Sequence, residues 1–313
     1  MKLNGKLFLY LNILILFYCF TSMAEAANII KTRTENIIKG PSNLLLNQPS
    51  DVAVGKSGNI YVMDGVNNRV AVFGANGDFK FQFGRKGKNQ GDFLYPVGIT
   101  VDEKEKIYVA DSQNHRVQIF SNTGEYINSF KIKEMGEGGK EPDPTDVLIL
   151  EDKLYISDND NHRIVVYNKN TFEYISEWGK NGFREGEFRY PFLMSSNGIG
   201  KIYIVDVINA RVQAFSPKGD YFHSIGQFGI KEGTFFRPKG VALDTKKRVY
   251  ITDLYTGVVQ VFNEDGVLIG IVGNEFGKMK KFNTPCGIAI DYQDNLYITE
   301  MFANTVTKMK ILD

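Results

Sequence analysis

Short runs of alternating apolar and polar residues follow one another along this chain, separated by turn residues. In the clearest stretch, residues 98–102 form a compact apolar run, 106–111 and 116–120 alternate, and a turn at 121–124 leads into 126–130. Alternation with a period of two, bounded by turn residues, predicts β-strands. The 3.6-residue period of an amphipathic helix does not occur in this stretch. The pattern therefore predicts a unit of four short strands.

This unit recurs along the chain at a fixed spacing. A proline begins each copy, at Pro49, Pro96, Pro144, Pro191, Pro238 and Pro285. An acidic residue keeps the same spacing at the end of each second strand, at Asp64, Asp111, Asp158, Asp206, Asp253 and Glu300. Periods of this length are typical of solenoids, propellers or arrays. Because a flat four-stranded unit buries its faces only by stacking on others, we predict an all-β, six-bladed β-propeller.

The ends of the chain are predicted to meet in the last unit. The sixth copy runs out after its third strand, near 305–311, and a strand-like segment at 35–40 precedes the first copy. We assign 35–40 as the missing outer strand, which would close the ring. Its register is open by eight residues, because the tetrapeptide at 28–31 is repeated at 36–39. The units are placed near residues 46–93, 94–140, 141–188, 189–235, 236–282 and 283–313.

A polar motif follows the acid in several copies. Two copies carry it in full, as Asp111-Ser112-Gln113-Asn114-His115-Arg116 and Asp158-Asn159-Asp160-Asn161-His162-Arg163. Two others keep the acid and the arginine without the histidine, as Asp64 with Arg69 and Asp206 with Arg211. These motifs resemble those of NHL repeats, over residues 35 to 313. The resemblance implies four-stranded NHL-type blades and says little about activity, since such propellers serve as enzymes, RNA binders, sensors and scaffolds.

The motif residues are interpreted as structural. Each acid lies five residues before its arginine, which predicts a local ion pair that fixes the loop. His115 and His162 occupy the same slot in neighbouring copies, and a repeated histidine is more often a stabilising hydrogen bonder than a metal ligand. His223, in a predicted fourth strand, is expected to face solvent. No nucleophile, base and orienting acid form a recognisable motif, so no catalytic residue and no metal ligand is assigned.

The first 26 residues have the pattern of an export signal. Lys2 and Lys6 precede an apolar stretch of about fourteen residues, and Ala24-Glu25-Ala26 is a small-residue cleavage pattern. A membrane-spanning helix needs about 20 apolar residues. We therefore predict cleavage after Ala26, a propeller domain at 27–313 without a membrane span, and a periplasmic or extracellular location. A retained anchor is the alternative.

The charge balance argues against a nucleic-acid partner. The chain has 37 Lys and Arg against 36 Asp and Glu, and loss of residues 1–26 makes it formally neutral. A nucleic-acid binder is expected to present a basic face. The loops between copies lean basic, at Arg85, Lys86, Lys88, Lys278, Lys280 and Lys281. Solvation of the loops is the ordinary role of such charges, and anion or glycan recognition is the alternative.

Candidate binding residues lie on the loops between second and third strands. The two residues after each repeat acid form the polar half of the channel mouth in the first three copies, where they are Gly65-Val66, Ser112-Gln113 and Asn159-Asp160. They are apolar in the last three, at Val207, Ile208, Leu254, Tyr255, Met301 and Phe302. Either these six form one exposed patch, which tends to mark an interaction site, or they fold down and seal the channel.

An enzyme hypothesis comes from the secreted peptidyl-hydroxyglycine amidating lyases, which resemble this chain in fold. The resemblance implies zinc-binding histidines directly after the repeat proline. These positions read Ser50, Val97, Thr145, Phe192, Lys239 and Cys286, so zinc ligands are missing. Tyr255 matches a catalytic tyrosine of that family at one position only. Cys286 is interpreted as buried packing, with a reactive thiol as the alternative.

Taken together, these patterns predict an exported, non-catalytic binding or scaffold propeller that recognises a protein, peptide or glycan through its loop face. No cofactor is assigned, and the oligomeric state is open. The alternative is a lyase or hydrolase whose calcium ion is held by acids or carbonyls at the mouth of the central channel. For that role the inner strands offer chiefly Asp102, Asp244 and Asp291, at their ends.

Overall fold

A computed structural model describes residues 28–312, and the predicted export signal lies outside them. Within that range the chain forms 24 β-strands and one 3-10 turn at Ser112–Asn114. Residues 28–312 contain no helix with the length and apolar character that crossing a membrane requires.

Each of the first five repeats contributes an innermost strand, followed by a second, a third and a fourth, and the sixth repeat contributes the first three of these. The innermost strands are β2 (Asp51–Val54), β6 (Ile99–Val101), β10 (Pro144–Leu150), β14 (Pro191–Ser196), β18 (Pro238–Leu243) and β22 (Pro285–Ile290). The second strands are β3 (Ile60–Asp64), β7 (Ile107–Asp111), β11 (Lys153–Asp158), β15 (Ile202–Asp206), β19 (Val249–Asp253) and β23 (Asn295–Glu300).

The outer half of each repeat is built the same way. The third strands are β4 (Arg69–Phe73), β8 (Arg116–Phe120), β12 (Arg163–Asn168), β16 (Arg211–Phe215), β20 (Val258–Phe262) and β24 (Thr305–Ile311). The fourth strands are β5 (Phe79–Phe83), β9 (Tyr126–Lys131), β13 (Tyr174–Trp178), β17 (Tyr221–Ile225) and β21 (Leu268–Gly273). Strand β1 (Ile29–Ile38) precedes them all in the chain.

The strands form four antiparallel sheets of four and one sheet of eight. Strand β1 creates the larger sheet by lying between β21 and β24. Its first residues pair in parallel with β21, as Ile29 with Ile271. The remainder pairs antiparallel with β24, as Thr32 with Ile311. The strand expected at 35–40 thus begins earlier, and both copies of the duplicated tetrapeptide contribute to it, each in a different pairing.

The innermost strands stand side by side around a central channel. Each contacts the innermost strand of the next repeat, and β2 contacts both β6 and β22, so the first repeat adjoins the last. The core lies between neighbouring sheets, where the second-strand tyrosines, such as Tyr61 and Tyr250, are fully buried. Burial of such large side chains between stacked sheets is the main source of stability. The structure is an all-β propeller, as the sequence predicts.

Buried phenylalanines fill the outer gaps between sheets, and glycines make room for them. Phe93, Phe188 and Phe235 are each 0% exposed. A Cβ at Gly226 would lie 2.3 Å from the Phe235 ring, and the backbone there has φ +75°, which favours glycine. Strand β5 ends at Phe83, directly before Gly84, and by analogy the pair Phe228-Gly229 predicts the end of the fourth strand in this repeat. Strand β17 ends instead at Ile225, so Phe228 lies beyond it and is 70% exposed.

Candidate functional site

One face of the propeller carries the turns between second and third strands together with the segments that enter each innermost strand. We call it the loop face. A side chain in the turn of one repeat reaches the segment of the next: the Asn68 Oδ1 atom accepts a hydrogen bond from the Tyr95 backbone N–H at 2.9 Å. The opposite face carries the turns between first and second strands. All residues singled out by the repeat motif lie on the loop face.

The acid and arginine of the motif form enclosed ion pairs. The Arg Nε to Asp Oδ2 distance is 2.6 Å for Arg69–Asp64, and it is 2.8, 2.8 and 2.9 Å for Arg116–Asp111, Arg163–Asp158 and Arg211–Asp206. The second oxygen of each carboxylate accepts a backbone N–H from the incoming segment, as from Leu94 to Asp111 at 2.8 Å. Burial nevertheless raises the pKa of Asp111 and Asp206. These contacts leave the carboxylates no free oxygen for chemistry.

The two motif histidines contact the next repeat in different protonation forms. The Nδ1 atom of His115 lies 2.6 Å from the carbonyl oxygen of Pro142, so it carries the proton and donates. The Nδ1 atom of His162 accepts from the Tyr190 backbone N–H at 3.2 Å, so its proton is on Nε2. Burial lowers the pKa of His162. The same slot holds Asn304 in the last repeat, which accepts from the Gln48 N–H at 2.8 Å.

His223 does not face solvent as expected. It is half-buried, and its Nε2 atom is enclosed without a hydrogen-bond partner among residues 28–312. Burial is the main cause that lowers its pKa, followed by the charge of Lys201. Tyr203 and His223 both pair across the sheet with Ala214, so the three side chains share one face. The Tyr203 hydroxyl is also without a partner in the described part of the chain.

The six predicted patch residues are not equally accessible. Tyr255 is 65% exposed and Phe302 66%, and Ile208 is also exposed. Leu254 and Met301 are half-buried. Val207 is buried in the core cluster between the fourth and fifth repeats, so it does not belong to an exposed patch. The structure therefore shows separate exposed side chains instead of a continuous six-residue surface.

The exposed part is extended by two aromatic residues that the sequence analysis missed. The ring of Tyr255 stacks on Phe236 with centroids 4.1 Å apart and planes 29° apart. Phe236 in turn lies 5.3 Å from Phe228, whose side chain is 70% exposed. We call Phe228, Phe236 and Tyr255 the aromatic row. The signal in the sequence was the pair Phe235-Phe236, of which only the first fills the gap between sheets.

The central channel contains a cavity of about 210 Å³, lined by all of the innermost strands. Most of the residues that line it are apolar, but Thr100, Ser195 and two buried carboxyl groups, Asp51 and Asp146, also contribute to its wall. The Asp51 Oδ2 atom accepts from the Ile99 N–H at 3.0 Å. The Asp146 Oδ2 atom accepts from the Met194 N–H at 2.7 Å. These bonds tie the first repeat to the second and the third to the fourth.

Burial raises the pKa of both channel carboxyls. The pKa of Asp51 is also raised by the nearby charge of Asp146, and backbone N–H donors act in the opposite direction on each. The acids that the sequence offers for a calcium site are instead Asp102, Asp244 and Asp291. The structure places those three in the turns of the opposite face, where each accepts backbone N–H groups and a tyrosine hydroxyl.

The channel acids could have been found in the sequence from the position two residues after each repeat proline. It is Gly98, Gly240 and Gly287 in three repeats and Leu193 in a fourth, while Asp51 and Asp146 occupy it in the other two. A Cβ at Gly287 would lie 2.5 Å from the Asp51 Oδ1 atom, so the glycine makes room for the carboxyl group. A Cβ at Gly98 would likewise lie 2.7 Å from the Asp146 Oδ1 atom, so each channel acid has a glycine beside it that makes room for its carboxyl group.

The residues directly after the repeat prolines surround the channel at its loop-face end. They are Ser50, Val97, Thr145, Phe192, Lys239 and Cys286, and we call them the rim. The Ser50 and Thr145 hydroxyls donate to backbone oxygens, at 2.7 Å to Val97 and 3.3 Å to Pro191. Cys286 is 2% exposed, and burial raises the pKa of its thiol to about 12. The Lys239 Nζ atom lies 4.0 Å from the centre of the Phe192 ring.

Among residues 28–312, no three or more His, Cys, Asp or Glu side chains converge to hold a metal ion. A calcium ion in the channel would therefore depend on the Asp51 and Asp146 pair and on backbone oxygens. Hard oxygen donors suit calcium, which takes six to eight of them. The described side chains alone do not make up such a set.

The similarities to known proteins support the propeller fold more strongly than they support any activity. The family DUF5128, described as a six-bladed beta-propeller, matches at residues 37–114 and 103–180, which together are less than half of the chain. The Drosophila melanogaster protein brain tumor is 47% identical over 49 residues. That match covers 16% of this chain and 5% of the Drosophila protein.

Several solved structures share the architecture. A gluconolactonase from Xanthomonas campestris has a TM-score of 0.66 and 12% identity, covering 92% of this chain and 97% of its own. Virginiamycin B lyase from Staphylococcus aureus has a TM-score of 0.56 and 12% identity, covering 83% and 80%. A protein of unknown function from Bacteroides thetaiotaomicron has a TM-score of 0.66 and 16% identity, covering 91% and 75%. At such identities the likeness concerns the fold alone, and this chain is similar to these proteins as an all-β propeller.

Proposed function

We propose that this protein is an exported, six-bladed NHL-type propeller that acts as a non-catalytic binding module. Its ligand is a protein, peptide or glycan held on the loop face. In this proposal β1 supplies the outer strand of the last blade, which its pairing with β24 supports. The mature chain begins at Ala27 and acts in the periplasm or outside the cell.

The aromatic row is the observation that carries the binding role. Phe228 and Tyr255 expose 70% and 65% of their surface although both are large and apolar. Their rings are joined through Phe236, so they form one surface instead of scattered side chains. Exposed apolar surface of this kind has an unfavourable solvation free energy in the free protein. This free energy is regained when a partner covers the surface. Aromatic rings are also favoured contacts for protein partners.

The motif residues support a structural role for the rest of the loop face. The acids are occupied by arginines and backbone N–H groups, and the histidines hold neighbouring repeats together. A face whose polar groups are already satisfied offers rigid support for a contact surface. Rigid support lowers the entropy that binding would otherwise cost.

The test compares the aromatic row with a matched tyrosine on the opposite face. Residues 27–313 are purified as wild type, Tyr255→Ala, Phe228→Ala and Tyr292→Ala, since Tyr292 is 68% exposed in a turn of the opposite face. Each is applied to a glycan array and to a displayed random-peptide library. We expect wild type and Tyr292→Ala to select the same ligands and both aromatic-row variants to lose them. Equal selection by all four proteins would exclude the aromatic row as the binding surface.

An enzymatic function is the second candidate, and the channel carboxyls favour it. Asp51 and Asp146 line one cavity, and burial raises the pKa of both, which is the property that lets a carboxyl group act as a general acid near neutral pH. The activities of two structurally similar propellers, a lyase and a lactonase, lend this candidate support. Elemental mass spectrometry of chelator-free protein, followed by a screen with lactones and esters, tests it. Turnover that is lost in Asp146→Asn would replace the binding proposal.

A further inference from the structure

Lys239 places a positive charge on the rim of the channel. It follows the repeat proline of β18, and its side chain reaches over the Phe192 ring of the preceding repeat at 4.0 Å. It is half-buried, and burial is the main cause that lowers the pKa of its ammonium group. A cation over an aromatic face is held more weakly than one that donates a charge-assisted hydrogen bond to an anion.

No carboxylate of the described chain compensates this charge. Lys239 forms no ion pair with any acid in residues 28–312, and its rim neighbours Phe192 and Cys286 are neutral at physiological pH. Arg237 adds a second positive charge, near enough to lower the pKa of Lys239 further. The side chain of Arg237 also has no acidic partner in that range. Two basic residues that influence each other thus flank Pro238, at the loop-face start of β18.

The repeat acid of the same repeat already has partners. Asp253 is fully buried, and it accepts backbone N–H groups from Phe236 at 2.6 Å, Arg237 at 3.2 Å, Tyr255 at 3.0 Å and Thr256 at 3.2 Å. Its repeat has Val258 where other repeats carry the motif arginine. The backbone therefore replaces the arginine as the partner of this acid. Asp253 positions the aromatic row and leaves Lys239 without a counter-charge.

We infer that Lys239 and Arg237 form a subsite for an oxyanion, a carboxylate or a phosphate group, carried by the ligand of the loop face. The inference rests on the proposed binding role and narrows the ligand to one that combines an anionic group with an apolar or ring-shaped part. Phe236, in the middle of the aromatic row, directly precedes Arg237 in the chain. The oxyanion subsite and the aromatic row are therefore adjacent, and one ligand can occupy both.

The experiment uses small fluorinated probes detected by ¹⁹F NMR on residues 27–313. The anionic probes are 4-fluorophenylacetate and 4-fluorophenyl phosphate, and 4-fluorophenylacetamide is the neutral control, all at constant ionic strength. We expect saturable binding of at least one anionic probe and weaker binding by about tenfold in Lys239→Met and Lys239→Gln, because a charge-assisted contact is lost. The tighter anionic probe identifies the carboxylate or the phosphate as the preferred group. Lys218→Met, which changes an exposed lysine on another surface, should bind as wild type does.

Three results would overturn the inference: no saturable binding of either anion to the wild type, equal binding of the amide, or unchanged binding in both Lys239 variants. Thermal melts establish that the variants are folded, and two different replacements guard against a local defect of one. Failure of the oxyanion subsite can be distinguished from failure of the proposed binding function. Probe binding that depends on Lys239, together with array selection that is indifferent to Tyr255, would retain the oxyanion subsite and reject the aromatic row.

Discussion

The side chain of Asn304 accepts a hydrogen bond from the backbone N–H of Gln48 at 2.8 Å, although 256 residues separate them. The bond joins the last repeat to the first and has the same form as the bond from Tyr95 to Asn68 between the first two repeats. Ala210 and Gly257 occupy this slot in the fourth and fifth repeats and supply no acceptor. The junction between the last and first repeats thus has this hydrogen bond, whereas the junctions that follow the fourth and fifth repeats lack it.

Removing this contact should weaken the junction. Asn304→Ala is expected to lower the free energy of unfolding by about 1 kcal/mol, the usual net worth of one hydrogen bond. Asn304→Asp keeps an acceptor and should stay close to wild type. Urea unfolding followed by circular dichroism measures both. Equal losses in the two variants would mean that the hydrogen bond is not the cause.

Disruption of a motif ion pair should lower the free energy of unfolding more when the arginine is more deeply buried. Arg163 is 1% exposed and also contacts Glu177 at 2.9 Å, whereas Arg211 is 12% exposed. Removal of one partner from a buried pair typically costs about 3–5 kcal/mol, because a buried charge is left alone. We expect Arg163→Met to reach this range and Arg211→Met to cost less. Chemical denaturation gives the order, and a larger loss in Arg211→Met would contradict it.

Two repeat tyrosines should respond oppositely to loss of the hydroxyl. The Tyr203 hydroxyl is enclosed without a partner among the described residues, whereas the Tyr250 hydroxyl donates to the Asp244 Oδ2 atom at 3.1 Å. An unsatisfied buried hydroxyl is unfavourable, so Tyr203→Phe should leave stability unchanged or raise it by about 1 kcal/mol. Tyr250→Phe should lower stability by about 1–2 kcal/mol for the lost charge-assisted bond. Paired melting curves test the contrast, and destabilisation of both proteins would indicate a partner for Tyr203.

The channel acids predict a pH dependence of stability. Burial raises the pKa of Asp146 to about 7 and raises that of Asp51 well above its usual range. The folded chain therefore binds more protons than the unfolded chain between about pH 4 and the raised values, so stability falls as the pH increases through this window. Asp51→Asn should flatten this fall and be more stable than wild type at pH 8.

Unfolding free energies from pH 4 to pH 8 provide the measurement. The control is Glu103→Gln, whose side chain is 85% exposed and lies outside the channel. It should follow the wild-type curve. A curve for Asp51→Asn that is parallel to wild type over the whole range would show that the channel carboxyls do not control the pH dependence.

Cys286 should be inert toward thiol reagents while the protein is folded. Its side chain is 2% exposed and the pKa of its thiol is raised to about 12, so the reactive thiolate is scarce at neutral pH. We expect colour development with a disulfide reagent only at the rate of unfolding, and rapid reaction in denaturant. Fast reaction of the native protein would instead indicate an accessible thiol at the rim.

The repeated strands and the motif pairs were open to prediction because their causes are local. Alternation along five or six residues defines a strand, and an acid five residues before an arginine spans one tight turn, so Asp158 and Arg163 meet whatever the rest of the chain does. The even spacing of the prolines then required units that stack. The all-β propeller architecture follows from these short-range patterns and from the need to bury both faces of each sheet.

The candidate sites depended on contacts between repeats, which no short segment contains. Phe235 and Phe236 are neighbours of the same type, yet Gly226, nine positions before Phe235, makes room in the core only for that ring, and Phe236 packs against Tyr255 instead. Asp51 and Asp146 share the channel because Gly287 and Gly98, at the same level in neighbouring repeats, make room for their carboxyl groups. Strand β1 divides between β21 and β24, although its two tetrapeptides are identical. Sequence by itself determined the repeating unit, since that rests on periodicity along the chain. Tertiary packing alone decided which side chains reach the channel or the solvent, since that depends on the volume left by distant residues.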